Sequence, residues 1–316
     1  MTMRRAIELA ERGRGTTYPN PLVGAVVVRD GEVVGEGWHE RRGEPHAEVN
    51  ALTAAGERAR RSTMYVSLEP CTHHGSTPPC VDAILEAGVE RVVVGVRDPN
   101  PNVSGGGVER LREAGVDVEV VEGEPAWRAR DLNAGWLSVH ERERPWVIYK
   151  AAVTLDGRMT VPGERWVTGE EARRRVHELR GWVDAVAVGM GTVRTDAPRL
   201  DARGVDAPKQ PRRLAFGRGP LPDGSDLELR SGPLEDELRM LADEGVQTLL
   251  LEGGATVASS FLAADLVDKL LVFVAPTLAG EGPTLTRALP HSVRLNRLRA
   301  EPVGEDVLLE AYVHDP

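Results

Sequence analysis

The chain has 316 residues, which at roughly 100–200 residues per domain suggests two domains. Its composition, 41% hydrophobic and 28% charged with a net charge of -10, is that of a globular protein and argues against a non-specific nucleic-acid binder. The absence of any run of 18 apolar residues, together with only two cysteines, excludes a transmembrane helix and a disulfide framework, so we expect a cytoplasmic protein.

Helix and strand signals alternate through the first half of the chain. The apolar spacing predicts an amphipathic helix over residues 3–12, and a continuous apolar run predicts a strand over residues 22–29. Asp30-Gly31 then separates this run from Val33-Val34, which is a strong β-hairpin signal. The other predicted elements are helices over residues 47–55, 81–87 and 108–114, and strands over residues 63–68, 89–94 and 116–121. This alternation predicts an α/β sheet with helices on its faces.

The second half follows a polar run, residues 140–145, that ends in Pro145. A strand is predicted directly after it, so we place a domain boundary between residues 145 and 146. Thr168 and Glu171 have the spacing of a capping box, which predicts a helix that runs to Arg180. The other predicted elements are strands over residues 146–153, 185–188, 248–251, 270–274 and 307–313, and a helix that ends at residue 264. No element is assigned within the Pro- and Gly-rich residues 204–233.

Four side chains of the first half have the chemistry of a catalytic zinc site. His46 precedes a predicted helix, Cys71 follows a strand, and Cys80 opens another helix. Three protein ligands leave the fourth tetrahedral position for water, whose pKa zinc lowers to about 7. Glu48 lies two residues after His46 and is the candidate to move protons between water, ring nitrogen and leaving ammonia. This order of residues matches the zinc deaminase signature.

The spacing of the cysteines departs from the commonest form of that signature. Two residues usually separate them, whereas here residues 72–79 intervene, and the turn formers Gly75, Pro78 and Pro79 can return the second thiolate to the metal. One alternative is that both cysteines are small buried hydrophobic residues and His46 is a surface residue. Another is a structural zinc site with His73 or His74 as fourth ligand, which leaves Glu48 without a role.

Two glycine-containing turns in the second half follow predicted strands. Gly189-Met190-Gly191 opens a helix but lacks the third glycine of the dinucleotide fingerprint. Glu252-Gly253-Gly254 also stands at a strand-to-helix turn, where glycine lets backbone N–H groups approach a phosphate. The residues alone leave open whether these turns bind a nucleotide or only turn the chain tightly.

The motifs of the first half form a specific set. They are PNPLVGAVVV at 19–28, GEPHAE at 43–48, LEPCTHHG at 68–75, TPPC at 77–80 and DPNP at 98–101. The set resembles the bifunctional deaminase–reductase family of riboflavin biosynthesis, in which the wider cysteine spacing is the ordinary pattern. That family deaminates 2,5-diamino-6-(5-phosphoribosylamino)pyrimidin-4(3H)-one to 5-amino-6-(5-phosphoribosylamino)uracil.

The resemblance implies a cytidine-deaminase-like three-layer α/β/α domain over residues 1–145. It implies zinc ligation by His46, Cys71 and Cys80, with Glu48 as the catalytic proton shuttle. It also implies that Asn20 contacts the pyrimidine, and an amide offers the donor and acceptor that a heterocycle edge requires. The alternative is that Asn20 is a turn residue between two prolines.

The second half resembles the reductase half of the same family, which is similar to dihydrofolate reductase in fold. The matching segments are KAAVTLDG at 150–157, WVTG at 166–169, VGMGTV at 188–193, DAP at 196–198 and LEGGA at 251–255. The resemblance implies an α/β domain over residues 146–316 that uses NADPH to reduce the ribosyl group to ribityl. It implies cofactor contacts at Ala152, Trp166, Thr192, Asp196, Gly254, Ala255 and Thr256, and substrate contacts at Arg180, Leu200, Arg203 and Glu252.

Lys150 and Glu252 are the candidate catalytic residues of the reductase. Lys150 lies on an otherwise apolar strand and Glu252 ends another, so either could hold a ribose hydroxyl or relay a proton. Hydride transfer needs mainly positioning and a proton source. A packing role for Lys150 is the alternative.

Two other functions have to be weighed against the bifunctional enzyme. Residues 205–245 are shorter than is usual in the family, which favours as one alternative a deaminase whose second domain has lost reductase activity. A nucleic-acid base deaminase has a similar motif but needs a basic groove, which the net charge of -10 opposes. We therefore expect a small-molecule phosphoribosylaminopyrimidine substrate, no nucleic-acid or membrane partner, and a homo-oligomer.

Overall fold

Two β-sheets organise the polypeptide, one of five strands and one of eight among the described residues. The structure, a computed structural model, describes residues 2–73, 78–100 and 106–316. Contacts between residues divide the chain into one unit of Met1–Arg142 with Pro316 and a second of Glu143–Asp315. The predicted boundary after residue 145 lies three residues beyond this division.

The first unit contains a five-stranded sheet in the order β2-β1-β3-β4-β5. Strand β1 is antiparallel to β2 and β3, whereas β3, β4 and β5 are parallel. The strands are β1 (Gly24–Arg29), β2 (Glu32–Trp38), β3 (Thr63–Val66), β4 (Arg91–Val94) and β5 (Asp117–Val120). The helices are α1 (Thr2–Ala10), α2 (Ala47–Ala55), α3 (Cys80–Ala87), α4 (Gly106–Glu113), α5 (Glu124–Leu132) and α6 (Ala134–Arg142).

Alternate residues of these strands enter two separate hydrophobic clusters. Ala25 and Val27 of β1 pack in a cluster with α2, α3 and α4, whereas Val26 packs on the other face with α1 and α5. Because successive side chains of a strand point to opposite faces, both faces of the sheet are covered by helices. The predicted three-layer α/β/α fold and the hairpin at Asp30-Gly31 are confirmed, and both turn residues have positive φ (51° and 82°).

Helices α5 and α6 were not predicted from the sequence. Helix α5 contains two arginines and buries only Trp127, Ala129 and Leu132, so its apolar stripe is narrow. Helix α6 likewise combines four buried residues with a polar C-terminal turn. A weak stripe of this kind is typical of a helix whose position depends on packing against the rest of the fold.

The second unit contains an eight-stranded sheet in the order β12-β13-β11-β6-β10-β7-β8-β9. Its strands are β6 (Trp146–Thr154), β7 (Ala185–Gly189), β8 (Arg212–Phe216), β9 (Glu228–Arg230), β10 (Thr248–Leu251), β11 (Lys269–Ala275), β12 (Asn296–Val303) and β13 (Asp306–Tyr312). Its helices are α7 (Glu170–Trp182), α8 (Met190–Asp196), α9 (Leu234–Asp243) and α10 (Ala255–Ala263). The unassigned residues 204–233 thus contain β8 and β9.

The central strands of this sheet are parallel and buried on both faces. Strands β6, β10, β7 and β8 are parallel to their neighbours, and β13 returns antiparallel to β11. Tyr149 packs with α9 and α10 on one face, while Ile148 packs with α7 on the other. Burial on both faces explains the continuous apolar runs in the sequence. Because β6, β10 and β7 are parallel, their carboxyl ends lie at one edge of the sheet.

The predicted capping box at the start of α7 is wrong. The N-cap residue is Gly169 rather than Thr168, and no side chain of the first turn caps it. Instead the Gly169 N–H donates to Oδ2 of Asp306 at 2.8 Å. Asp306, at the start of β13, is 3% exposed and takes the place of a local cap. It is 137 residues away in the chain, so spacing along the sequence could not reveal it.

The helices of both units are short. The longest in the described ranges, α7, has 13 residues, and none of these helices combines the length and the apolar character needed to cross a bilayer.

Candidate active sites

Three potential metal ligands meet beside the sheet of the first unit. His46 is the N-cap residue of α2, Cys80 is the first residue of α3, and Cys71 follows β3. His46 Nδ1 lies 3.2 Å from Cys80 Sγ and 3.6 Å from Cys71 Sγ, and all three ligand atoms lie within 4.8 Å of one another. Tetrahedral zinc, bound ~2.3 Å from sulfur and ~2.0 Å from nitrogen, separates such atoms by about 3.5 Å. The spacing therefore fits a zinc ion.

The alternatives to a catalytic site can be compared with this geometry. In the described part of the chain His73 does not belong to the group of ligand atoms, and His74 and Gly75 lie outside the described residues. The predicted turn formers Pro78 and Pro79 directly precede α3, and Pro79 is its N-cap residue. The arrangement has three protein ligands, as in catalytic sites that keep an open position.

The two thiols have opposite pKa shifts. A hydrogen bond between them lowers the pKa of Cys71 and raises that of Cys80. Both cysteines would bind a divalent cation as thiolates, the metal-binding form of cysteine.

Glu48 lies in the first turn of α2 and is 3% exposed. Its Oε2 atom is buried and has no hydrogen-bond partner among the described residues. Burial, followed by the charge of Cys71, raises the pKa of Glu48 to about 7. An unpaired buried carboxyl oxygen is costly and uncommon in folded proteins, and it indicates a ligand that supplies the missing partner.

His39 and Asn20 form a second polar pair next to this group. Asn20 Nδ2 lies 3.2 Å from His39 Nε2, and His39 Nδ1 lies 3.3 Å from the carbonyl oxygen of Pro45. The ring of His39, 3% exposed, stands edge-on to the ring of His46 with a centroid distance of 5.2 Å. With Nδ1–H donating to Pro45, Nε2 accepts from the Asn20 amide, and Asn20 Oδ1 accepts no hydrogen bond from the residues that the structure describes.

Glu69 supports the segment that carries Cys71. It is 3% exposed, and its carboxylate accepts the backbone N–H groups of Val108 at 2.9 Å and Asp98 at 3.2 Å. Val108 lies in the first turn of α4, where a negative charge is favoured. The quoted motif at residues 68–75 contains Glu69, but the sequence did not reveal its function because both partners are remote along the chain.

The second unit contains a cavity of about 1210 Å³. Among the residues implied as contacts, those that line it are Lys150, Ala152, Trp166, Arg180, Asp196, Arg203 and Glu252. Strands β6 and β10, helix α7 and the connection before it thus converge on one space. The predicted substrate and cofactor positions share this cavity only because the parallel strands end at the same edge.

Five implied contacts do not line this cavity. Gly254 is the N-cap residue of α10, Ala255 and Thr256 form its first turn, and a Cβ added to Gly254 would lie 3.9 Å from Thr192 Oγ1. These four residues therefore lie together at the start of α10. The side chain of Leu200 is 2% exposed and packs in the core with Val186, so only its backbone could contact a substrate.

Glu252 is the centre of a buried ion-pair group. Its Oε2 lies 2.7 Å from Lys150 Nζ, and Arg180 donates to both carboxylate oxygens at 2.6 and 3.0 Å. Burial alone would raise the pKa of Glu252, but the charges of Lys150 and Arg180 outweigh it and lower the pKa to about 2. Glu252 is therefore ionised near neutral pH and is the acceptor that Lys150 and Arg180 share.

The turn between β10 and α10 has no room for a side chain at Gly253, where an added Cβ would lie 1.9 Å from Val257 Cγ1. Gly253→Ala is expected to lower the free energy of unfolding by about 1–3 kcal/mol through overpacking. The measurement is urea unfolding of the full chain. Gly191→Ala, where the Cβ meets nothing within 4 Å, is the matched control, and Val257→Ala in the Gly253→Ala background should restore stability. Equal stability of the two single variants would contradict the prediction.

Comparison with known proteins adds a second line of evidence. Residues 1–96 match the cytidine and deoxycytidylate deaminase zinc-binding region, and residues 145–309 match the RibD C-terminal domain. Riboflavin biosynthesis protein RibD of Aquifex aeolicus is 40% identical over 345 aligned residues, which cover 97% of this chain and 96% of that protein. The chain belongs to the RibD family.

Solved structures agree with the membership of the RibD family. Acinetobacter baumannii RibD superposes with a TM-score of 0.87 at 36% identity, covering 98% of this chain and 97% of that one. The Thermotoga maritima diaminohydroxyphosphoribosylaminopyrimidine deaminase/5-amino-6-(5-phosphoribosylamino)uracil reductase has a TM-score of 0.83 at 34% identity, with the same coverage. As a RibD protein, the chain is a bifunctional deaminase and reductase of riboflavin biosynthesis, with a zinc-binding deaminase region and an NADPH-dependent reductase domain. These predictions from the sequence are confirmed.

Proposed function

We propose that residues 1–145 deaminate 2,5-diamino-6-(5-phosphoribosylamino)pyrimidin-4(3H)-one and that residues 146–316 reduce the product, 5-amino-6-(5-phosphoribosylamino)uracil, to its ribityl form. The observation that carries the first step is the buried, unpaired Glu48 oxygen beside the ligand group of His46, Cys71 and Cys80. The reductase cavity in the same chain supports the second step. The relative from Thermotoga maritima is named for these two activities.

In the deaminase site, His46, Cys71 and Cys80 would hold zinc, which would supply an activated water molecule for attack on the pyrimidine. Glu48 Oε2 accepts a proton from the attacking water and passes it to the ring nitrogen. It then transfers the second water proton to the amino group, which leaves as ammonia while the ring carbon gains a carbonyl. Asn20 Oδ1 accepts a hydrogen bond from the pyrimidine edge, with its amide orientation held by His39.

In the reductase site, NADPH supplies the hydride, and the chain supplies position and a proton. The ribosylamine opens to an imine, whose C1′ accepts the hydride while its nitrogen accepts a proton. Lys150 donates that proton, since its ammonium group is held 2.7 Å from an ionised Glu252. Glu252 accepts a hydrogen bond from a ribose hydroxyl. The other substrate contacts are Arg180, Leu200 and Arg203. The cofactor contacts are Ala152, Trp166, Thr192, Asp196 and residues 254–256.

The cellular setting is part of the same proposal. The two cysteines form no disulfide, which fits a reducing cytoplasm. The edge strand β12 leaves seven of its eight residues exposed, including Leu298 at 67%, and a second copy of the chain in a homo-oligomer would cover such an edge. Light scattering after size-exclusion chromatography measures the oligomer directly, and a monomer at micromolar concentration would contradict this part of the proposal.

A coupled assay on the authentic pyrimidine ribotide tests the two steps together. One ammonia should be released for each NADPH oxidised, and ammonia should precede NADPH consumption. The matched reaction starts from the deaminated ribotide, which should oxidise NADPH without ammonia release. Ammonia release from the first substrate with no NADPH oxidation from either would select the alternative of a deaminase without reductase activity.

A further inference from the structure

The basic residues on the wall of the reductase cavity differ in whether a carboxylate neutralises them. Six such residues line the cavity: Lys150, Arg165, Arg173, Arg174, Arg180 and Arg203. Four of them form ion pairs: Lys150 and Arg180 with Glu252, Arg174 with Glu178, and Arg203 with Asp201. Arg165 and Arg173 form no ion pair with any carboxylate in the described ranges. They are thus uncompensated, in the sense that no ion pair neutralises them in the part of the chain that the structure describes.

Both of these guanidinium groups contact the indole ring of Trp166. The Cζ atoms of Arg165 and Arg173 lie 5.0 and 5.4 Å from the centroid of the same indole ring. Arg173, in the first turns of α7, also donates from Nη1 to the carbonyl oxygen of Thr168 at 2.6 Å. Both charges are thus positioned before any ligand arrives, and the indole remains 49% exposed at the cavity.

Cation–π contacts of this kind leave the hydrogen-bonding capacity of arginine available. The contact is made by the charge of the guanidinium group, whereas hydrogen bonds are made by its five N–H donors. In the described part of the chain only one nitrogen of Arg173 donates a hydrogen bond, to Thr168. Because both groups contact the same ring, they present several donors on one part of the cavity wall.

We propose that Arg165 and Arg173 form a binding site for a phosphate monoester on a ligand of the reductase cavity. A phosphate monoester carries a charge near -2 at neutral pH and three terminal oxygens, which matches two uncompensated guanidinium forks. A dianion at Arg180 has to compete with Glu252, and one at Arg203 with Asp201. Glu170 and Glu171 also line the cavity, but neither forms an ion pair with Arg165 or Arg173 that a dianion would have to displace. This inference rests on the proposed function of the cavity.

Two ligands of the proposed reaction carry this chemistry. NADPH has a phosphate monoester on the 2′-oxygen of its adenosine ribose, and the deaminated ribotide has one on its 5′-oxygen. Each has a phosphate-free counterpart, NADH and the dephosphorylated riboside. The four compounds therefore separate recognition of the phosphate from recognition of the remaining ligand, and they separate the two sources from each other.

The test uses the full chain carrying Arg165→Met and Arg173→Met, singly and together. Calorimetry measures the dissociation constants of all four compounds. Each single variant should raise the dissociation constant of one phosphorylated ligand at least tenfold. The dissociation constant of its phosphate-free counterpart should change less than twofold. Arg174→Met is the matched control: it lines the same cavity on the same helix, but Glu178 neutralises it, so a change below twofold is expected.

The outcome also identifies the source of the phosphate. Loss for NADPH but not NADH assigns the site to the cofactor, and loss for the ribotide but not the riboside assigns it to the substrate. Unchanged constants for both phosphorylated ligands, or equal losses for the phosphate-free compounds, would overturn the proposal. A protein that binds all ligands normally but oxidises no NADPH would instead contradict the proposed reductase function, so the two failures are distinguishable.

Discussion

Glu48→Gln is expected to stop ammonia release from the pyrimidine ribotide while zinc stays bound. The amide keeps the size of the side chain but cannot accept a proton from water, so the transfers to the ring nitrogen and to the leaving ammonia are both lost. General acid–base catalysis contributes roughly 10²–10⁴-fold, and we expect a loss of at least that size. The measurements are the rate of ammonia release and the zinc content of the purified variant.

Two controls make the Glu48 result specific. Glu57→Gln changes an exposed carboxylate just after α2 and should leave ammonia release unchanged. NADPH oxidation on the deaminated ribotide should be normal in the Glu48→Gln protein, because that reaction uses the second unit. Persistent ammonia release would remove Glu48 from the mechanism, and loss of zinc would show that its function is to hold the ligand group together.

Glu252→Gln is expected to destabilise the unit Glu143–Asp315 by about 3–5 kcal/mol and to abolish NADPH oxidation. The side chain of Glu252 is 6% exposed, and its removal leaves Lys150 and Arg180 as buried positive charges with no carboxylate between them. The free energy of unfolding of this unit is measured by urea titration, with hydrogen exchange of the β6 and β10 backbone amides as the probe. Ammonia release should persist.

The matched control for Glu252 is Glu178→Gln on α7. Glu178 pairs with Arg174, whose side chain is 62% exposed, so water replaces the lost partner at a cost of at most about 1 kcal/mol. Activity is compared without urea, at a temperature at which both variants keep the hydrogen-exchange protection of the native protein. A Glu252→Gln protein that is as stable as the control, or that still oxidises NADPH, would contradict the proposed function of the ion-pair group.

Elements with a strong local pattern could be predicted from the sequence. Strands β1, β6 and β10 are continuous apolar runs, and the apolar residues of α2 recur at helical spacing. These patterns can be recognised from residues that are neighbours in the sequence. Helix α5 and strand β12 could not be predicted, because the first buries three residues and the second is exposed along seven of its eight. Their conformation is stabilised by neighbours that are distant in the chain.

The candidate sites show the same division. His46 and Glu48 are two residues apart, and Cys71 and Cys80 stand at predicted element ends, so their chemistry could be inferred from spacing. The functions of His39 and Glu69 could not. His39 meets Asn20 from a strand end 19 residues away, and Glu69 meets Val108 over 39 residues.

The sequence by itself determined the chemistry available to this protein: one histidine, two cysteines and a glutamate in deaminase order, and a second half with the motifs of a reductase. Only the tertiary structure decided which charges are neutralised. Glu252 joins Lys150 and Arg180 because β6, β10 and α7 meet at one edge of the sheet. Arg165 and Arg173, beside Trp166, form no ion pair with any described residue. An ion pair needs its charged atoms within about 4 Å of each other, so it depends on distances in space that residue order does not contain.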